Sequence, residues 1–219
     1  MKNIPLILYI VIGAINILGH LLDESGMIRF SKPMLMPLLI FFIYHQARGH
    51  VTKQTIMVVL ALIFSWLGDL ALMQEGEEMY FLLGLGAFLF AQLTYTYIYY
   101  TSTFQKPEFR LMPLLPILTF TIFLLAFLIP RTRTDFKIPI VIYAICITAM
   151  ASMARLRLGL TSNVSFQWVM MGSLLFVVSD SDLAIDKFFR PIPYDSVLIM
   201  STYIAAQALI VIGLSKHPE

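Results

Sequence analysis

Three aspartates fall within seven positions of "GSLLFVVSDSDLAIDKF", residues 172–188: Asp180, Asp182 and Asp186. A fourth, Asp69, follows "FSWLG" in another strongly apolar stretch. A carboxylate inside a hydrocarbon layer costs ~2.5–3.5 kcal/mol even on insertion scales, so such groups mark functional sites by default. Two carboxyl groups in one low-dielectric site share a proton at neutral pH, because burial and mutual repulsion both oppose double ionisation. Such a pair supplies one acid and one anion. Positioning it falls to the helices that carry the two groups.

Composition sets what those helices are. Of 219 residues, 59% are hydrophobic and 13% charged, about half the charge usual in a soluble domain. Segments of ~20 mostly apolar residues suffice to cross a membrane. They occur at 4–22, 33–47, 54–73, 79–100, 111–129, 137–157, 165–186 and 195–214. The chain is therefore expected to be an all-α membrane protein of eight transmembrane helices in one integral domain, 1–219. Its second segment is short enough to be tilted or re-entrant. The N-terminal run has no small-residue cleavage site, so it reads as a spanning helix and not a removable signal. Connections such as "DESGMIRFSK", "QEGEE" and "PRTRTDFK" are too short to hold a soluble domain, which leaves function to the helices.

Charge says less. The net charge is +2 and no basic run suggests nucleic acid. Lys2, Arg48, Lys53, Lys106, Arg110, Arg155, Arg157 and Lys216 fall on the side of the termini. Arg29, Lys32, Arg131, Arg133, Lys137, Lys187 and Arg190 fall opposite. Eight against seven puts the termini in the cytoplasm by one residue, and by three if Lys32 and Lys187 serve a site. Compactness points to a bacterial inner membrane.

The two halves resemble each other. Helix 2 opens "SKPMLMPLLI" and helix 6 "FKIPIVIYAI"; helix 3 ends "FSWLGDLALM" and helix 7 "FVVSDSDLAI"; helix 4 holds "FLFAQLTY" and helix 8 "YIAAQALI". Lys-Pro, small-Asp and Ala-Gln thus recur in order four helices later, which predicts a four-plus-four parallel repeat with halves at about 1–105 and 106–219. Parallel repeats place corresponding residues at equal depth. Asp69 and Asp180 would then meet across a pseudo-twofold axis.

Helical geometry sorts the aspartates. At ~100° per residue, Asp180 and Asp182 point to nearly opposite faces. Asp180 shares a stripe with Gly172, Ser173 and Phe176, and small residues mark close helix contact. Asp182 and Asp186 form the other stripe, with Arg190 placed for an ion pair to Asp186, and read as a rim wetted by headgroups. Gln92 and Gln207 either join helices or serve the site, with Tyr95 and Tyr203 about a turn away. Lys32 either holds an anion or snorkels to the interface.

Other chemistries lack their residues. His20, His45, His50 and His217 are scattered, and there is no HExxH or paired-Cys spacing, so no metal or other cofactor is expected. A G-x-S-x-G elbow and a P-loop are also missing from the sequence. Cys146, the single cysteine, excludes an intramolecular disulfide and reads as a packed thiol.

The motifs "SKPMLMPLL", "SWLGDLALM", "GLGAFLFAQLTYTYIYY", "GSLLFVVSDSDLAIDKF" and "YIAAQALI", in this order, resemble the YhhN-type lysoplasmalogenase family from about helix 2 to helix 8. That resemblance implies hydrolysis of the vinyl ether bond of a lysoplasmalogen within the bilayer, releasing a fatty aldehyde and a glycerophospho-alcohol. It puts the family's two aspartates on Asp69 and Asp180, its lysine on Lys32, and its last-helix tyrosine and glutamine on Tyr203 and Gln207. Many members carry His where this chain has Gln92, and Asn where it has Asp186, which alters what Gln92 contributes to proton transfer. The other class compatible with midplane acids in parallel repeats is a proton-coupled transporter or lipid-binding membrane protein. An intramembrane aspartyl protease fits less well, since "WLGD" lacks the first glycine of GxGD.

Overall fold

The computed structural model describes residues 3–47, 50–74, 77–189 and 194–216. Eight α-helices follow in order: α1 (Ile4–Leu21), α2 (Ser25–Gln46), α3 (Lys53–Leu72), α4 (Glu78–Thr101), α5 (Leu115–Leu128), α6 (Thr134–Leu156), α7 (Asn163–Phe188) and α8 (Asp195–Ser215). Single 3₁₀ turns at Met112–Leu114 and Ile129–Arg131 extend α5 at both ends. Among the described residues there is no strand, and eight segments are long and apolar enough to span a membrane. The protein is an all-α, multi-pass integral membrane protein.

One boundary departs from the sequence expectation. α2 starts at Ser25, not near Pro33, so "SGMIRFSK" is helical and Lys32 sits two turns inside. Proline biases the preceding residue away from helix, which set the predicted start. Here the helix runs through Pro33 and Pro37. Pro37 has no N–H for the Pro33 carbonyl, and Trp66 of α3 supplies one, its Nε1 donating to Pro33 O at 2.8 Å. The reversal before α2 is tight. Asp23 takes a left-handed φ of 56°, a region Asp enters more readily than most residues, and Glu24 N–H donates to Gly19 O at 2.8 Å.

The chain forms two compact units, Met1–Ile98 and Tyr99–Glu219. In the first, α1 packs on α2 and α2 on α3. Asn16 Nδ2 donates to Ser31 Oγ at 2.9 Å in a buried contact between α1 and α2. Ser31 in turn donates to Met27 O. In the second unit α7 and α8 form the most extensive pairing. A Cβ added at Gly172 would lie 2.8 Å from Ala206 O and 2.9 Å from Ile210 N. One at Gly213 would lie 2.8 Å from Val169 N. Only glycine lets the two backbones meet so closely. At the end of α6 Arg157 is wholly enclosed. Its Nη2 donates to Ser165 Oγ at 3.2 Å and its guanidinium lies 5.4 Å from the Tyr99 ring. Burial pushes this guanidinium down to about 10, a shift the nearby Tyr99 partly opposes.

Candidate active site

The aspartate of the first unit is the more enclosed. Asp69 stands in the last turn of α3 with 2% of its surface exposed. The Trp66–Pro33 hydrogen bond fastens that turn beside the Lys32–Pro33 stretch of α2. Lys32, half-buried, therefore shares an end of this unit with Asp69. Next to Asp69, Gly68 faces the Phe88 ring of α4, where a Cβ would come within 2.6 Å. Gln92 follows one turn later on α4 and is fully buried. Tyr9 of α1 is also buried.

In the second unit the aspartate is half-buried and held by a tyrosine. The Tyr143 hydroxyl on α6 donates to Asp180 Oδ2 on α7, fixing the carboxyl in one orientation. Tyr143, Asp180 and Tyr203 each lie about 12–14 Å from the helix end on that side, at 1.5 Å per residue. Since α6 packs on α7 and α7 on α8, the three occupy one level. Ser179 Oγ donates to Ile199 O at 3.0 Å and fastens α7 to α8 there. Tyr203 meets the edge of Phe176, with ring centroids 5.7 Å apart. Gln207 is one turn deeper and fully enclosed.

The expected residues divide between the two units: Lys32, Asp69 and Gln92 in the first, Asp180, Tyr203 and Gln207 in the second. Tyr143 was not among them. Its signal was the same counting that gave the depth of Asp180, since a hydroxyl at matching depth on the preceding helix is a ready donor. Asp182 departs from a simple wetted rim: it is half-buried, and its Oδ2 is enclosed with no hydrogen-bond partner. The Arg190 partner expected for Asp186 lies outside the described residues, as do Lys2, Arg48 and His217, and part of "QEGEE". No group of three or more His, Cys, Asp or Glu among the described residues is arranged to hold a metal ion.

Comparison with known proteins extends the picture. The profile of the YhhN family matches residues 27–214. Lysoplasmalogenase TMEM86A of Bos taurus is 32% identical over 166 residues, 74% of this chain and 66% of that protein. Lysoplasmalogenase TMEM86B of Homo sapiens is 34% identical over 158 residues, 72% of this chain and 63% of its own length. TMEM86B of Rattus norvegicus, with the same enzyme name, is 31% identical over 180 residues, covering 82% and 70%. The chain spans just under two thirds of the length of the bovine and human relatives. No solved structure matches it.

Proposed function

The chain belongs to the YhhN family, and we propose that it hydrolyses the vinyl ether bond of a lysoplasmalogen drawn from the bilayer, using Asp69 and Asp180 as acid and carboxylate. The observation that carries this reading is the Asp180 carboxyl, oriented by Tyr143 at the level of Tyr203, in a chain similar to proteins named lysoplasmalogenase.

The chemistry matches what two acids can do. A protonated carboxyl delivers a proton to the alkenyl carbon β to the ether oxygen. An oxocarbenium ion results, stabilised by the neighbouring carboxylate as in glycoside hydrolysis. Water adds to the cationic carbon and gives up a proton to that carboxylate. The hemiacetal then collapses to a fatty aldehyde and a glycerophospho-alcohol. Proton transfer from a positioned side chain contributes about 10²–10⁴-fold to such steps. In this scheme Tyr143 positions Asp180, and Lys32 holds the lipid phosphate. Gln92, Tyr203 and Gln207 orient the ether and the attacking water. Asp69 and Asp180 come from different units, so their pairing rests on the recurring Lys-Pro, small-Asp and Ala-Gln order. From the charge count of eight against seven we also propose that both termini face the cytoplasm, across a bacterial inner membrane.

The test supplies purified protein with a lysoplasmenyl lipid and, in parallel, the saturated alkyl ether analogue. Aldehyde is expected from the first and not the second. Proton-driven uptake into proteoliposomes with no aldehyde from either lipid would replace the hydrolase with a transporter.

A further inference from the structure

The second unit has a cavity at the end remote from Asp180, with a volume of about 430 Å³. Lys106, Glu108 and Arg110 of the α4–α5 connection line it together with Arg155 in the last turn of α6 and nearby leucines. Asp180 is about 25 Å further along α7 at 1.5 Å per residue, so this is not the candidate active site.

The charges around it do not balance. Arg110 pairs with Glu108, Nη2 to Oε2 at 3.0 Å. The Lys106 and Arg155 side chains make no hydrogen bond or ion pair among the described residues. Three cations therefore face one carboxylate. Arg157, two positions after Arg155, adds an enclosed guanidinium whose hydrogen-bond partner is the neutral Ser165, with Nε and Nη1 unpartnered. Cations that no carboxylate neutralises are complementary to phosphate.

The level of the cavity selects the source of that phosphate. The α6 span ends at Leu156 and the next span toward the cavity starts at Met112, which puts the lining where headgroups meet water. Phe109, Leu111 and Met112 beside it are 77%, 54% and 80% exposed. Large apolar side chains held out next to Lys and Arg suit a surface seated between headgroups and the first acyl carbons, and would be poorly placed around a freely dissolved ion. We propose that this cavity binds the phosphate of an anionic membrane phospholipid, as a site separate from the one that would hold substrate.

Full-length protein in detergent is titrated with short-chain phosphatidylglycerol, with phosphatidylcholine and with inorganic phosphate, reading the thermal midpoint. Phosphatidylglycerol should raise it at concentrations where the other two do not. A basic residue near an anionic headgroup contributes about fivefold in affinity. Lys106→Gln with Arg155→Gln should therefore raise the half-saturating concentration by about tenfold or more. Arg133→Gln, on the other face of the unit, should leave it unchanged. Glu108→Gln, at an exposed position where folding is not at stake, should lower it. A full shift from inorganic phosphate alone would reassign the ligand and overturn the lipid proposal. So would a phosphatidylglycerol response that is absent, or that neither Glu108→Gln nor the double variant alters.

Discussion

The last turns of α3 and the matching stretch of α7 carry the same order, a small residue and then aspartate, in two different surroundings. Beside Asp69 the close neighbour of Gly68 is the ring of Phe88, a side chain. Two turns before Asp180 on α7, Gly172 meets the backbone of α8 at Ala206 and Ile210. Asp69 is almost wholly enclosed, whereas Asp180 is half-buried and accepts a hydrogen bond from Tyr143. A ring can turn aside; a helix backbone cannot. Asp180 is thus the oriented carboxyl, and Asp69 the more enclosed one. The proposed mechanism can use both settings, since one group of the pair keeps a proton and the other is presented to a cation.

Substitutions can break this contrast. The largest effect is expected for Asp69→Asn or Asp180→Asn, each lowering kcat for aldehyde release by about 10²–10⁴-fold; full activity in both would remove the two roles. Tyr143→Phe should lower kcat about tenfold with KM little changed, and should add nothing once Asp180 is already Asn. A KM effect of the same size would mean that Tyr143 touches substrate and does not merely orient Asp180. For stability, Gly172→Ala should cost about 2–3 kcal/mol and Gly68→Ala about 1 kcal/mol, within the range for overpacking. Thermal or denaturant unfolding in micelles measures both, and equal costs would erase the distinction between backbone and ring contact. Trp66→Phe should cost about 1–2 kcal/mol, between the two glycine variants, for stranding the Pro33 carbonyl left without a donor by Pro37.

Much of this was legible because depth and periodicity are properties of the sequence. Counting along apolar segments placed Asp69 and Asp180 well along their helices, and the 100° step put Asp180 on the stripe of Gly172, a residue packed against α8. The start of α2 was misread because proline is a local signal for a helix boundary, and the tertiary donor that overrides it, Trp66, lies 33 residues away. Tyr143 escaped because a hydroxyl's partner on a neighbouring helix leaves no mark in the periodicity of its own. The enclosed oxygen of Asp182 escaped for the same reason. The basic cavity was hidden differently: Lys106, Arg110 and Arg155 were counted only as topological charges, since nothing in their spacing says that two distant connections converge.

The proposed mechanism requires one acid from each unit to serve a single site. Cysteine cross-linking measures it independently of activity, in a Cys146→Ser background carrying Asp69→Cys and Asp180→Cys. A short bifunctional thiol reagent should join the two positions within one chain, and added lysophospholipid should suppress the reaction. Two thiols that each accept a monofunctional reagent in folded protein, yet never link to one another, would contradict the account.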